Sequence, residues 1–354
     1  MLLQQPLTLG VCLLAFGVVA QAEVIIDTVT VGNPGNAGEQ SGAGVGGYGP
    51  DRVCGAVGYI YDSGKFEVTA GQYTEFLNAV AATDTYGLYN TEMLSQDVGC
   101  KIRRTGSPGS YVYLVDADED GEEDADWIDR PVNFVSWGDA ARFANWMHNG
   151  QPTGVQDLST TEDGSYFLNG TTTNEQLLAV VREPDATWVI PSEDEWYKAA
   201  YHKNDGATGN YWDYPTRTNT APNNGNPEGD TGDSANYDDG DDRTIGPPYH
   251  RTAVGFFALS AGPYGTLDQG GNVWEWNEEI LYGSSRGNRG GSFSSYIIGL
   301  YAAGRFNFEP TFEYYGLGFR LADVSEPEPV LAAFVWGIII MAILLMMAGT
   351  VALL

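Results

Sequence analysis

After Lys203 the chain loses both periods of regular structure: for about seventy residues, up to "GGNVWEW", it is Gly, Asn, Asp, Pro and single aromatics. A loop of that length inside a compact domain needs an organising device other than backbone ladders. This feature narrows the fold to those that build much of their volume from irregular chain. Gly, at 46 of 354 residues, is well above the usual ~7%, so much of the backbone turns or bulges. Three regular segments lie upstream. Thr69-Ala70-Gly71-Gln72, Ser136-Trp137-Gly138-Asp139 and Ser192-Glu193-Asp194-Glu195 each place a hydroxyl three residues before a side chain that can reach back to the cap N–H. Behind these caps run the stripes Tyr73, Phe76, Leu77, Val80, then Ala140, Phe143, Ala144, Met147, then Trp196, Ala199, Ala200. They mark the core faces of three helices.

The two ends read as separate from the folded domain. Residues 9–20, "LGVCLLAFGVVA", are an apolar run followed by Ala20-Gln21-Ala22, a small-x-small cleavage pattern. Residues 1–22 are therefore expected to be a secretory signal peptide, with Glu23 as the new N-terminus. Val330 to Leu354 carries no charge and is long enough to cross a hydrocarbon core of about 30 Å. Pro327-Glu328-Pro329 directly precedes it, within "VSEPEPVLAAF". This tail resembles the PEP-CTERM sorting signal of exported bacterial proteins, which implies an exosortase-like partner. No Arg-rich cluster follows the apolar run, a departure that leaves a plain C-terminal membrane anchor open. The expected organisation is a signal peptide at 1–22, one domain at 23–323, a Pro/Glu linker at 324–329 and a transmembrane helix at 330–354.

A formal net charge of −30 excludes nucleic acid as a partner, because phosphates would repel the chain. Cys12 leaves with the signal peptide, so Cys54 and Cys100 remain. In an oxidising compartment they can pair, or stay apart as two buried thiols. "DADEDGEEDAD", residues 116–126, opens like a calcium loop but has Trp127 where a bidentate Glu belongs. It reads as an acidic surface insert, at most a weak calcium binder. His148 and His202 fall at the ends of the second and third helices, where a partial positive charge suits the dipole.

"KFEVTAGQYTEFLNAV", "RPVNFVSWGDAARFANWMHNG", "WVIPSEDEWYKAAYHK", "YGTLDQGGNVWEW", "RGGSF" and "GFRLA" follow one another from Lys65 to Ala322. In this order they resemble the formylglycine-generating-enzyme, or sulfatase-modifying-factor, family. The resemblance implies a single α+β domain of low regular secondary structure, related to the C-type lectin fold, with structural Ca²⁺ in its loops. The family's calcium ligands fall on the Asp268 side chain, the Gly271 and Val273 carbonyls and the Glu275 side chain. Hard Ca²⁺ suits such oxygens, although Glu275 could instead pair with an Arg in the core. A second family site falls on Asn236 and the Tyr237 carbonyl, with Asp239, Asp241 or Asp242 as the acid, or this run is a solvated acidic loop.

The resemblance also says what is missing. Catalytic members carry two copper-binding cysteines eight and three residues before an Arg that Arg305 matches, and here those positions are Ile297 and Ala302. Neither can ligate copper or supply a thiolate, so the family's oxidation should be absent and no catalytic residue is assigned. The iron branch of the family needs three histidines on an added helical domain, whereas the chain has only His148, His202 and His250. "SFSSYIIGLYAAGRFNFEPTFEYYGLGF" offers instead a dense set of aromatics, the kind that supply contact area at low entropy cost. Tyr296, Phe306, Phe308, Tyr314 and Tyr315 are the candidate ligand-binding residues, with buried strand as the alternative; a similar frame carries the ligand face in variable proteins of diversity-generating retroelements. The expected function is an exported, envelope-anchored, calcium-stabilised, non-catalytic module that binds a glycan, peptide or protein. An enzyme of altered chemistry is the alternative.

Overall fold

The computed structural model describes residues 23–116, 123–225, 229–240 and 243–325. The expected signal peptide and the apolar run 330–354 lie outside the described residues, as do most of the acidic insert and Asp241 and Asp242. Among the described residues no helix is long and apolar enough to cross a membrane.

The chain opens with β1 (Thr28–Val31), β2 (Glu39–Ser41), β3 (Arg52–Cys54) and β4 (Tyr61–Gly64), followed by α1 (Ala70–Val80) and the single turn α2 (Glu92–Ser95). A hairpin of β5 (Ile102–Thr105) and β6 (Val112–Val115) comes next, then α3 (Ala125–Ile128), α4 (Trp137–His148) and α5 (Asn174–Ala179). β7 (Trp188–Val189) leads into α6 (Glu193–Tyr201). The C-terminal third holds β8 (Trp274–Leu281), β9 (Ser285–Arg289), β10 (Phe306–Phe308), β11 (Leu317–Gly318) and β12 (Ala322–Asp323). One antiparallel sheet runs β1-β4-β12-β7, and a second runs β10-β9-β8-β11 with β11 parallel to β8. The domain is mixed α+β, as expected.

The three helix starts read from the sequence form as capping boxes. Thr69, Ser136 and Ser192 each accept the backbone N–H three residues on, and Gln72, Asp139 and Glu195 reach back. The stripes behind them are buried. α1 and α4 meet through their rings: Phe76 stands edge-on to Phe143 at 5.2 Å, Trp146 packs on Phe76 at 5.3 Å, and Phe319 closes on Phe143 at 5.4 Å. Such offset and edge-to-face pairs add to plain area burial.

Between Tyr201 and Trp274 no named helix or strand occurs among the described residues. Buried polar side chains staple this stretch. Asn272 Oδ1 accepts from the Asn236 amide at 2.9 Å and from the Thr252 N–H at 3.0 Å. Arg251 donates to the Val98 and Gly99 carbonyls at 2.6 and 3.0 Å. Gly271, at φ 90°, passes so close to this network that a Cβ would lie 2.1 Å from the Asn236 carbonyl oxygen. Only glycine fits there.

Candidate functional site

β8 is the spine of the C-terminal face, and its first three residues, Trp274, Glu275 and Trp276, are buried. Glu275 takes Arg320 in a two-pronged ion pair, with Nη2 2.7 Å from Oε1 and Nε on Oε2. Trp196 donates to the same Oε2 at 2.6 Å. Arg320 also reaches the Gly64 and Leu267 carbonyls, both at 2.9 Å, so the Gly-Phe-Arg turn ties the first sheet to the irregular stretch. Glu275 thus takes the Arg pairing left open as the alternative to a calcium ligand. Oε2 of Glu275 is saturated, Asp268 accepts the Gly255 N–H, and Ca²⁺ needs six to eight oxygens. With Gly271 and Val273 as the remaining donors, the set as placed does not fit the ion. Burial pushes the Asp268 carboxyl up to about 6, against the Gly255 N–H and Arg320.

At the second expected site Asn236 is buried, with its amide on the His250 carbonyl at 3.1 Å and its Oδ1 without a partner. The Tyr237 N–H meets Thr244 at 3.3 Å. Among the described residues no three acidic, His or Cys side chains converge on a metal position. Two of the histidines act as staples: His148 meets the Thr187 hydroxyl at 2.9 Å and His202 the Tyr264 hydroxyl at 2.6 Å.

The segment where the family cysteines would fall is held by a buried Arg–Glu–Arg triad. Arg305 grips Glu193 with Nε at 2.8 Å and Nη2 at 2.6 Å, while Arg289 adds Nε at 2.9 Å. Arg289 further donates to the Ala302 and Gly304 carbonyls, both at 3.0 Å. Burial alone would raise the Glu193 carboxyl, but Arg289, Arg305 and Arg52 outweigh it and hold it at about 2. Ile297 lies half-buried on a small cluster of Ala235, Tyr237 and Leu300. Ala302 is buried among Trp196, Tyr197, Tyr201 and Tyr211.

Cys54 packs in that same cluster, far from Ala302 in sequence. It does not pair with Cys100. Both thiols are free and buried, Cys54 here and Cys100 in the main core, which corrects the disulfide expectation. Burial and the Glu193 charge push the Cys54 thiol up to about 11, against Arg289, Arg305 and Arg52, so it is not a nucleophile at neutral pH. Gly283-Ser284-Ser285-Arg286-Gly287 spells a nucleophile-elbow pattern. It runs from the turn of the β8–β9 hairpin into β9, where Ser285 pairs with Leu281, and is not the strand-to-helix elbow that exposes such a serine.

The aromatics form a strip. Phe306 on β10 lies 5.0 Å from Tyr48 and 4.5 Å from Trp274, between ring centres. Phe308 stacks on Phe312 at 4.8 Å, Phe312 on Tyr314 at 5.9 Å, and Tyr314 touches Tyr315 at 3.9 Å. Phe306, Phe308, Tyr314 and Tyr315 rest one side on the core and leave the other uncovered. Phe312 is 39% and Tyr296 65% exposed, and Tyr296 stands apart, near Gly240. Backbone bonds fix the strip: the Phe134 N–H donates to the Tyr314 carbonyl at 3.1 Å, the Trp137 N–H to that of Pro310 at 3.0 Å.

Sequence reasoning missed the acids under this strip. Glu313 accepts from the Asn90 amide and meets the buried Asp139 carboxyl, which reaches back to the Ser136 N–H in the capping box of α4. Burial first, then the Asp139 charge, pushes Glu313 up to about 8, so at neutral pH it holds a proton. Asp139 was legible only as a cap, because its second partner is remote in sequence.

The profile of the sulfatase-modifying factor enzyme 1-like domain matches residues 58–324. The chain belongs to that family. Its span runs from β4's approach to the end of β12 and takes in the Arg–Glu–Arg triad and the whole aromatic strip. Solved structures similar to this sulfatase-modifying-factor domain include CarF, at 19% identity over 84% of this chain and 98% of that one, with a TM-score of 0.46. Treponema denticola variable protein 1 is 18% identical over 84% and 94%, at TM-score 0.48, and PvdO from Pseudomonas aeruginosa 17% over 84% and 91%, at 0.43. No curated protein matches the chain.

Proposed function

We propose that this sulfatase-modifying-factor-like domain is a non-catalytic binding module that presents the strip Phe306, Phe308, Phe312, Tyr314 and Tyr315 to a glycan, peptide or protein outside the cell. The observation that carries the reading is a half-covered aromatic strip beside positions 297 and 302, which hold no thiol. The one cysteine near Ala302 is buried and protonated. Aromatic rings with one open face bind sugars and peptides by contact area, and rings anchored on a rigid sheet lose little entropy in doing so. The apolar runs at 9–20 and 330–354 support export and envelope anchoring, with sorting by an exosortase-like partner.

A glycan and protein array probed with the wild-type chain tests this, alongside Phe312→Ser and Tyr314→Ser. Binding that both variants lose while remaining folded supports the strip; binding that survives both places the ligand elsewhere and sinks the reading. The protonated Glu313 beside Asp139 favours a second reading, an acid–base enzyme in the same cleft. In that case a captured ligand is recovered chemically altered, and Glu313→Gln stops the alteration without abolishing capture.

A further inference from the structure

A cavity of about 900 Å³ opens between residues 23–27, β4's exit, α1 and the β6 end of the hairpin. Its lining includes none of the residues of the aromatic strip. Every charged residue lining it is acidic: Glu23, Asp27, Glu67, Glu75, Asp124 and Asp129. The remaining wall mixes the polar Thr69, Gln72, Thr74 and Asn78 with apolar side chains, and three of the exposed large hydrophobics meet there, Ile25 at 71%, Ile128 at 42% and Leu114 at 38%. Exposed apolar side chains gathered around one hollow mark a binding groove more often than scattered ones do.

Glu67 sets this cavity apart from an ordinary acidic surface. It is 2% exposed, lines the cavity, and neither carboxylate oxygen has a hydrogen-bond partner. Its charged neighbours are Asp268, Glu275 and Arg320, so three buried carboxyls share one guanidinium, and Glu275 already occupies that guanidinium in two places. Burial, then the Asp268 and Glu275 charges, push the Glu67 carboxyl well above its ordinary range, and Arg320, the cation facing it, is already held by Glu275, so a bound cation would offset what the protein leaves uncompensated. A metal ion is too small for this space, and no three donor side chains converge on one. The volume is that of a site for a small organic molecule.

We propose that this cavity binds a protonated organic amine with an apolar body, the ammonium meeting Glu67 and the body lying on Ile25, Phe66, Leu114 and Ile128. The rim acids Asp27 and Asp129 steer the cation in, and the absence of any Lys or Arg from the lining selects against anions.

Calorimetric titration of the full-length chain in a neutral detergent tests the pairing of head and body. The probes are 2-phenylethylamine, octylamine and cadaverine, each against its uncharged alcohol. At least one apolar amine should bind with one-to-one stoichiometry and at least tenfold tighter than its alcohol. Glu67→Gln should weaken that amine at least tenfold without loss of fold, since neither Glu67 oxygen has a hydrogen bond to lose, while Asp129→Asn at the rim should weaken it only two- to threefold. Equal affinity for amine and alcohol, wild-type affinity in Glu67→Gln, or no heat from any amine overturns the proposal. The comparison of amine with alcohol uses wild-type protein, so it decides even if the variant fails to fold.

Discussion

Two sets of aromatic rings use the same chemistry to opposite ends. Tyr73, Phe76, Phe143, Trp146 and Phe319 interlock behind α1 and α4 with no exposed surface. Phe306, Phe308, Phe312, Tyr314 and Tyr315 stack just as closely, but in one layer with an open side. The difference lies in the backbone beneath. All of the first set but Phe319 sit at helical spacing on two capped helices, so that stripe turns inward as a unit. The second sits on a three-residue strand and a loop pinned by carbonyls of Pro310 and Tyr314, which fixes the rings without covering them. Close ring packing alone therefore does not distinguish scaffold from surface.

The charges under the strip make the sharpest test of that contrast, because they hold the open layer in place. Glu193→Ala should cost about 3–5 kcal/mol, since it strands the buried Arg289 and Arg305 guanidiniums. Chemical denaturation measures it, and a loss below about 1 kcal/mol would mean that the strip does not depend on the triad. Phe143→Ala in the closed set should cost a similar ~3–5 kcal/mol through lost transfer energy and a residual cavity. Phe308→Ser in the open set should cost about 1–2 kcal/mol, in keeping with its half-burial. Equal losses at Phe143 and Phe308 would erase the distinction between the two layers.

A smaller effect depends on pH. The folded Glu313 carboxyl, raised to about 8 from its ordinary 4.5, binds a proton that the unfolded chain releases. Its contribution is fully present below about 4.5 and is lost as pH rises to about 8. Glu313→Gln should flatten the fall in melting temperature across that window, and a variant with the wild-type slope would place the proton elsewhere. The smallest effects belong to the most open rings: Tyr296→Ser and Phe312→Ser should each stay within about 0.5 kcal/mol of wild type.

Much of the closed layer was legible in the sequence, because caps and stripes are local: Thr69, Ser136 and Ser192 announce helices within four residues of chain. The family motifs located the open strip. What stayed hidden depends on distance in sequence. Glu193 reads as a helix-start acid, and only the fold brings Arg289 and Arg305, 96 and 112 residues away, onto it. Cys54 joins Ala302, and Glu313 joins Asp139, across still longer gaps. The Asp268 and Glu275 pair was legible as two acids near a turn, but the sequence could not say that Arg320 and Trp196 fill the Glu275 carboxylate, with Arg320 from the later Gly-Phe-Arg turn. Pairing between remote side chains decides whether an acid is a ligand, a staple or a proton store.

The central claim is that this sulfatase-modifying-factor domain binds without oxidising. Its most direct test is to incubate the purified protein with Cu(I), oxygen and a Cys-x-Pro-x-Arg peptide and to examine the peptide by mass spectrometry. With Ile297 and Ala302 in place of thiols and Cys54 buried, the peptide should be recovered unmodified. Formylglycine above the level of a control without protein would contradict the account.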